Sequence, residues 1–305
     1  MGELLPTRPF GKTGEQVTIY CVGGSHVAKA DSETESQAII EKSIEMGARF
    51  FDNAWSYSRG RAEELFGKYL TPKYREHVFL MTKTKGRTAE QAQKQIDDSL
   101  RRMKTDYIDL LHMHEVRSPE DVDARLSAGI LEVMLKAQQE GKVRHLGFSG
   151  HRHSSAHRRL MEKVAGKDPF VACQLPINPV DAAKPDSFTK ELVPELVKRD
   201  YAVLAMKTLA HGRFFKDNRD RFVTTDPVVP DNLSLEEVFW YVLSQPVTTI
   251  VSGTDKLPQV AENIGIIKRF AKLSIDDQKT IVAKVEKFTT TPKLEYYRPA
   301  PGTYS

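Results

Sequence analysis

Four side chains of different chemistry follow three successive apolar runs in the first half of the sequence. Asp52 ends the run RFFD, and Tyr57 lies five residues beyond it. Lys83 ends the run VFLMTK, and His114 ends the run YIDLLHMH. Each residue type alone more often has a structural role, as a helix cap, a surface phenol or a buried imidazole. Together, at the ends of neighbouring strands, they predict a reactive site.

The chemistry that this set of groups favours is proton donation to a carbonyl oxygen. A phenol has an ordinary pKa near 10, which is high for a general acid at neutral pH. A nearby Lys83 ammonium would lower the pKa of Tyr57, and Asp52 would keep that ammonium charged in a buried position. His114 could donate a hydrogen bond to the carbonyl oxygen and orient it. This arrangement requires no metal ion, and no metal site is predicted.

Eight short apolar runs alternate with amphipathic ones, which indicates strand–helix units and a parallel sheet. Eight such units predict a closed (β/α)8 TIM barrel. An open doubly wound sheet is the alternative, but its first turn would carry GxGxxG, and the turn here is GGSHV. The predicted strands are Ile19–Gly23, Arg49–Asp52, Val78–Lys83, Tyr107–His114, Val143–Phe148, Val171–Leu175, Tyr201–Lys207 and Thr248–Val251.

The amphipathic runs and the two ends of the chain complete this prediction. The segment TRPFGKTGEQVTIY predicts an N-terminal β-hairpin, and the tail from Thr289 predicts an irregular segment on the surface or across the barrel mouth. We expect residues 1–305 to form one domain. The predicted helices are Glu33–Gly47, Arg61–Leu70, Thr88–Met103, Ile130–Gln139, Ser155–Val164, Phe188–Lys198, Leu235–Leu243, Leu257–Ala271 and an extra C-terminal helix from Ser274 to about Phe288.

Composition argues against several other classes of protein. The net charge of +4 is dispersed, with no basic run that would indicate nucleic-acid binding. No stretch approaches the ~18 apolar residues of a membrane helix, and the first residues lack the apolar core of a signal peptide. Cys21 and Cys173 lie in apolar runs and predict two buried thiols. We therefore expect a cytoplasmic protein, monomeric or weakly homo-oligomeric, that acts on a small-molecule carbonyl substrate.

Two longer motifs resemble the aldo-keto reductase superfamily. FFDNAWSYSRGRAEELFGK is similar to the family's signature around its Asp and Tyr, and TDYIDLLHMHEV is similar to the one that leads to its His. The resemblance runs from the N-terminal hairpin to about Asn263, and it is strongest to the bacterial "predicted oxidoreductase" branch, without that branch's cysteine-rich C-terminal module. It implies NAD(P)H-dependent reduction of aldehydes and ketones. The family's catalytic tetrad maps to Asp52, Tyr57, Lys83 and His114.

The same resemblance implies a set of cofactor contacts. Ser149 and Gln174 match ligands of the nicotinamide carboxamide, whereas Gly150 stands where the family has Asn. Met206 occupies the place of a Tyr that stacks on the nicotinamide, and the run from Leu209 to Arg213 would line the pyrophosphate. The full predicted set is Gly24, Ser25, Ser149, Gln174, Met206, Lys207, Leu209, Gly212, Gly253, Thr254, Lys256, Gln259 and Asn263.

The preference between the two nicotinamide dinucleotides stays open. The family's NADPH-selective members carry basic residues near the 2′-phosphate, and this chain has Gln259 and Gly253 at the two matching positions. Lys256 is the nearest positive charge. The resemblance favours NADP(H), and NAD(H) or dual use is the alternative.

Substrate choice in this fold is set by the loops that follow the strands. Trp55, His26 and His151 are the predicted substrate residues. The loop Glu115–Pro119 and the C-terminal tyrosines, Tyr296 and Tyr297, are further candidates. No residue identifies the substrate itself, which leaves aldehydes, sugars, ketosteroids and quinones open.

Two other functions also fit parts of the sequence. His112 and His114 form an HxH pair on one strand face, and His151 and His153 repeat that spacing, which is a feature of metal-dependent hydrolases. That reading leaves Tyr57 and Lys83 without a role. A non-catalytic, nucleotide-binding regulatory subunit is the other alternative.

Overall fold

A closed parallel barrel forms the centre of the protein in a computed structural model, which describes residues 1–214, 233–290 and 294–298. A separate antiparallel hairpin precedes it, made of β1 (Thr7–Pro9) and β2 (Gln16–Thr18). In chain order the barrel strands neighbour one another, and the last pairs with the first. They are β3 (Tyr20–Gly23), β4 (Phe50–Asp52), β5 (Phe79–Thr84), β6 (Ile108–Met113), β7 (Val143–Ser149), β8 (Phe170–Pro176), β9 (Ala202–Met206) and β10 (Thr249–Gly253).

Helices connect these strands and cover the outside of the barrel. The sequence-based prediction of a (β/α)8 barrel is confirmed, and every predicted strand lies within two residues of an observed one. The helices are α1 (Gly24–Val27), α2 (Glu33–Glu45), α3 (Arg61–Tyr69), α4 (Thr71–Tyr74), α5 (Ala89–Met103), α6 (Pro119–Ser127), α7 (Ile130–Gln139), α8 (Ser154–Lys163), α9 (Pro179–Ala183), α10 (Phe188–Glu191), α11 (Val193–Lys198), α12 (Leu235–Ser244), α13 (Leu257–Lys268) and α14 (Ile275–Val285).

The predicted helix Phe188–Lys198 was wrong in one respect, because the structure divides it into α10 and α11 at Leu192. Pro194 lies in the first turn of α11, where a missing N–H costs nothing, but within one continuous helix it would remove a hydrogen bond. Helix α6 was not predicted, although Ser118 caps it by accepting from Asp121 N at 3.2 Å and Pro119 opens it. That Ser-Pro pair was the available signal.

The N-terminal hairpin closes the bottom of the barrel. Phe10, between its two strands, is fully buried and packs against Phe79 and Phe50, with ring centroids 4.7 and 6.1 Å away. Gly11 follows with φ +52°, and a side chain there would collide with the backbone carbonyls of Asp200 and Val171. The amino-terminal ends of the strands are therefore filled by apolar rings, and the opposite end carries the polar groups.

Other local predictions have clear outcomes. Cys21 and Cys173 are buried free thiols, as predicted. Thr88 caps α5 by accepting from Gln91 N, and Ser274 forms a capping box with Asp277 at the start of α14. No helix in the described ranges is long and apolar enough to cross a membrane.

Candidate active site

A buried ion pair lies at the carboxyl ends of β4 and β5. Lys83 is 1% exposed, and its ammonium contacts the carboxylate of Asp52 and donates to the carbonyl oxygen of Asn53 at 2.7 Å. Burial acts to lower the pKa of Lys83, but the negative charge of Asp52 and the proximity of Tyr57 outweigh it and raise that pKa. Lys83 is therefore held in its charged form, as the sequence predicted.

Tyr57 begins the short 3-10 helix Tyr57–Gly60 that follows β4. The ammonium nitrogen of Lys83 lies 4.9 Å from the centroid of its ring, and the ring of His114 meets it edge-on at 5.8 Å. Ser58 and Arg59 have positive φ values of 48° and 58°, so the chain turns sharply after the phenol. The four predicted catalytic side chains are thus brought together, and their roles stay a prediction.

One electrostatic expectation was wrong. Burial raises the pKa of Tyr57 to about 12. The charge of Lys83 lowers this pKa, as expected, but it does not overcome the cost of burying a phenolate. In this protein the phenol therefore remains protonated throughout the neutral range, which suits a proton donor.

His114 follows β6 and is half-buried. Burial lowers its pKa well below 6.5, and the positive charges of Lys83 and Lys85 lower it further. The imidazole is therefore neutral, and one ring nitrogen carries a proton that it can donate. Its Nδ1 is buried, with no hydrogen-bond partner in the described part of the chain.

These two pKa shifts predict a flat pH profile for carbonyl reduction. Neither Tyr57 nor His114 changes protonation between about pH 6 and pH 9, because one pKa lies above this window and the other below it. We expect kcat at saturating cofactor and aldehyde to vary less than about threefold over this window. Steady-state rates in buffers of constant ionic strength measure it, and a sigmoidal loss with a midpoint near pH 7 would contradict the assignment.

An open cleft adjoins the tetrad at the carboxyl end of the barrel. It contains most of the residues predicted to bind cofactor, together with His26. Its lining comprises Gly23, Ser25, His26, Asp52, Tyr57, Gln174, Met206, Lys207, Thr208, Leu209, Gly212, Val251, Ser252, Gly253, Gln259 and Asn263. Of these, sequence reasoning missed Gly23, Thr208, Val251 and Ser252. They adjoin predicted residues at the ends of β3, β9 and β10, which was the signal that could have found them.

Two buried polar atoms fit a bound nicotinamide dinucleotide. Gln174 Oε1 and Thr254 Oγ1 have no hydrogen-bond partner among the residues that the structure describes. Such atoms are costly unless a ligand or water satisfies them. Gln174 lines the cleft and pairs in register with Ser149 of the neighbouring strand. A carboxamide is a suitable partner for the Gln174 oxygen because it presents N–H donors.

The structure explains why position 150 is Gly, where the family has Asn. A side chain there would bring its Cβ within 2.7 Å of the carbonyl oxygen of Val116 and within 2.7 Å of the ring of His157. An Asn cannot stand at this position without moving the backbone after β6. Gly24 is constrained in the same way, since its Cβ would lie 2.7 Å from the carbonyl oxygen of Asp52.

The end of the cleft beside α13 lacks the expected basic side chains. A Cβ at Gly253 would lie 2.1 Å from His26 Nδ1, so the His26 ring occupies that space. Gln259 Oε1 accepts from the backbone N–H groups of Asp255 and Lys256, at 3.1 and 3.4 Å. The ammonium of Lys256 forms an ion pair with Asp31, and the pair is exposed to solvent.

Two of the three predicted substrate residues, Trp55 and His151, lie outside the cleft lining. Trp55 donates its indole N–H to Asp98 at 3.3 Å and packs under Arg102, so its ring contacts α5. His151 Nε2 lies 3.6 Å from Glu115, and its ring meets Tyr297 edge-on at 5.8 Å. Their roles in substrate binding stay predictions.

The C-terminal segment packs near the barrel mouth, which is one of the two positions that the sequence predicted for it. Tyr297 accepts from Asn178 Nδ2 at 3.3 Å and donates to Glu295 at 2.8 Å. Arg298 pairs with the fully buried carboxylate of Asp181 at 3.1 Å, which ties the segment to α9. The rest of the tail, residues 291–293 and 299–305, lies outside the described residues.

The histidines do not assemble as the hydrolase alternative requires. In the described ranges, no group of three or more His, Cys, Asp or Glu side chains could hold a metal ion. The His112 ring fills the space above Gly147, where a Cβ would come within 2.5 Å of it. His153 caps α8 by accepting from Ser155 N at 3.1 Å.

Comparison with known proteins agrees with this architecture. The model of the Aldo/keto reductase family matches residues 21–234. Uncharacterized oxidoreductase YqkF of Bacillus subtilis (strain 168) is 24% identical over 277 residues, which cover 80% of this chain and 85% of that protein. L-galactose dehydrogenase of Arabidopsis thaliana is 23% identical over 297 residues, which cover 89% of this chain and 91% of that protein.

Among solved structures, the holo form of aldo-keto reductase AKR11C1 from Bacillus halodurans has a TM-score of 0.74 at 20% identity, over 92% of this chain and 96% of that one. At that identity the likeness shows the fold alone. The family model, however, matches well over half of the sequence and includes all four tetrad residues, which lie at or just after the ends of β4, β5 and β6. This chain therefore belongs to the aldo/keto reductase family.

Proposed function

We propose that the protein reduces aldehyde or ketone carbonyls to alcohols, with a nicotinamide dinucleotide as the reductant. The observation that carries the proposal is the grouping of Tyr57, Lys83 and His114 beside an open cleft. A phenol held protonated next to a neutral imidazole is a proton donor paired with a hydrogen-bond donor. Both can act on one carbonyl oxygen.

The reduced nicotinamide, when bound, supplies the hydride. Gln174 and Ser149 are the residues we propose to hold it, and the buried unpaired oxygen of Gln174 supports this choice. Tyr57 donates the proton that the carbonyl oxygen takes up, and the adjacent Lys83 ammonium favours the phenolate that remains. Asp52 holds Lys83 in place and charged.

NADP(H) is the cofactor that we favour, on the resemblance to the family. The neutral Gln259 and the His26 ring over Gly253 leave Lys256 as the nearest cation, and its pair with Asp31 is exposed to solvent and therefore weak. We therefore expect a modest preference, with NAD(H) still accepted. A cytoplasmic location, a monomeric or weakly homo-oligomeric state and a small carbonyl substrate are parts of the same proposal. The similarity to the Arabidopsis L-galactose dehydrogenase favours sugars among the candidate substrates.

A thermal-shift comparison followed by turnover tests the proposal. We expect NADPH to raise Tm more than NADH at equal concentration, because a ligand that binds the folded state more tightly stabilises it more. A panel of 4-nitrobenzaldehyde, an aliphatic aldehyde and an aldose is then assayed by loss of reduced-nicotinamide absorbance. A Tm shift without turnover of any panel member would favour the regulatory-subunit alternative. Absence of both would contradict the proposal.

A further inference from the structure

A fully buried arginine lies behind the turn that carries His114. Arg125 belongs to α6, on the outside of the barrel, and is 1% exposed. Its guanidinium donates to the carbonyl oxygen of His114 at 2.8 Å and to that of Glu115 at 3.2 Å. An arginine is seldom buried to this extent without a specific set of partners. These partners are the backbone of a predicted catalytic residue and of its neighbour.

The backbone at this turn is strained. Glu115 has φ +60°, a left-handed conformation that a residue with a side chain adopts only when its surroundings enforce it. Both carbonyls that Arg125 contacts belong to this turn. A guanidinium holds two acceptors in the fixed geometry of its planar fork, whereas the three donors of an ammonium rotate freely. Arg125 therefore stabilises the turn in the conformation that follows β6.

The same turn connects His114 to the cofactor side of the site. The N–H of Glu115 donates to Ser149 Oγ at 3.2 Å, and the N–H of Val116 donates to the carbonyl oxygen of Ser149 at 2.8 Å. Movement of the turn would thus shift His114 and Ser149 together.

Arg125 is itself held in place from α6. Asp121, one turn earlier on that helix, accepts from Arg125 Nε at 3.3 Å. Asp121 also accepts from the backbone N–H of Arg117 at 3.0 Å and contacts the Arg87 guanidinium. Burial lowers the pKa of Arg125 to about 10, so its guanidinium is still charged at neutral pH. The orientation of the guanidinium therefore depends on Asp121 and on the contacts that hold it.

We propose that Arg125 is a positioning residue for carbonyl reduction, which acts through the His114–Glu115 backbone to aim the His114 imidazole at the substrate oxygen. This inference rests on the proposed function. It concerns a residue that contacts neither the cleft nor the tetrad side chains, so it cannot be read from the lining of the site. A misplaced hydrogen-bond donor weakens stabilisation of the transition state more than binding of the ground state.

The test is a double-mutant cycle between Arg125 and His114, with the wild-type protein as the reference. Arg125→Met should lower kcat for 4-nitrobenzaldehyde by about tenfold, with KM changed less than about threefold, because positioning of one donor is lost. In a His114→Gln background the same substitution should lower kcat by less than about twofold, since no imidazole remains to be aimed. Arg125→Lys keeps the charge but not the fork, and should fall between Arg125→Met and wild type.

A matched control separates positioning from helix packing. Arg159 lies on α8 and pairs with Asp123 of α6 through two hydrogen bonds of 2.8 and 2.9 Å, at the surface. Arg159→Met should leave kcat and KM unchanged, although it removes an arginine contact to the same helix. Circular dichroism gives the folded fraction of each variant, and rates are expressed per folded molecule.

Three results would overturn the inference. They are an equal loss of kcat in both backgrounds, a loss that the folded fraction accounts for entirely, and a kcat of Arg125→Lys equal to that of wild type. If Arg125→Met does not fold, the Arg125→Lys pair in the two backgrounds completes the same cycle. A wild-type protein without any carbonyl reduction would instead contradict the proposed function, so the two failures are distinguishable.

Discussion

Replacement of Tyr57 by Phe is expected to lower kcat for 4-nitrobenzaldehyde by a factor of about 10² to 10⁴. The substitution removes one hydroxyl and leaves the ring, which meets His114 edge-on and lies beside Lys83. The packing of the turn is therefore preserved, and the carbonyl oxygen loses its proton donor. Cofactor binding, measured by Tm shift or by fluorescence titration, should persist within about twofold.

A second tyrosine provides the matched control for this experiment. Tyr107 precedes β6, and its hydroxyl contacts Glu76 at the surface, 3.3 Å away. Tyr107→Phe removes the same atom far from the cleft and should leave both kcat and cofactor affinity unchanged. If Tyr57→Phe turned over aldehyde at the wild-type rate, Tyr57 would not be the general acid, and the proposed mechanism would be wrong.

Replacement of Lys83 by Met is expected to destabilise the protein by about 3–5 kcal/mol and to abolish carbonyl reduction. The buried carboxylate of Asp52 would lose its counter-ion, and an unpaired charge in a buried position is costly. The double variant Asp52→Asn/Lys83→Met removes both charges. It should recover most of the lost free energy of unfolding, because a neutral pair has no uncompensated charge.

The two readouts separate folding from chemistry. Urea denaturation should place the double variant within about 1–2 kcal/mol of wild type, while its kcat stays as low as that of the single variant. Recovery of activity together with stability would show that the pair is structural. Asn53, whose carbonyl oxygen also accepts from Lys83, is unchanged in both variants.

The stability of Lys83→Met should also depend on pH in a defined direction. Burial raises the pKa of Asp52, and Lys83 opposes that rise in the wild-type protein. Without Lys83 the folded-state pKa lies further above the unfolded value of about 3.9. Such a group contributes stability that is present below the unfolded pKa and is lost as pH rises through the folded one. The deficit relative to wild type should therefore be smaller at about pH 4 than at about pH 8.

The eight strands and the tetrad could be predicted from the sequence because each depends on local signals. A strand buried on both faces is a short apolar run, and its polar last residue marks the end that faces the site. Asp52 and Lys83 were identified in this way, and β4 and β5 place them in contact. The division of Phe188–Lys198 at Leu192 was missed, although Pro194 was visible in the sequence.

Other features depend on residues far apart in the chain. The His26 ring lies over Gly253, and Arg125 contacts the backbone of His114 and Glu115. The direction of the Trp55 ring, toward Asp98, is likewise set by packing against α5. No local pattern encodes such contacts, because they depend on which helix face meets which loop after the barrel has closed.

The sequence by itself thus determined the fold class, the end of the barrel that carries the polar groups, and the identity of those groups. Only the tertiary structure decided their electrostatic state. The charge of Lys83 lowers the pKa of Tyr57, as the residue types predicted, yet the depth of the phenol raises it to about 12. Burial is a property of all the surrounding elements together, and at Tyr57 it outweighs the charge of Lys83.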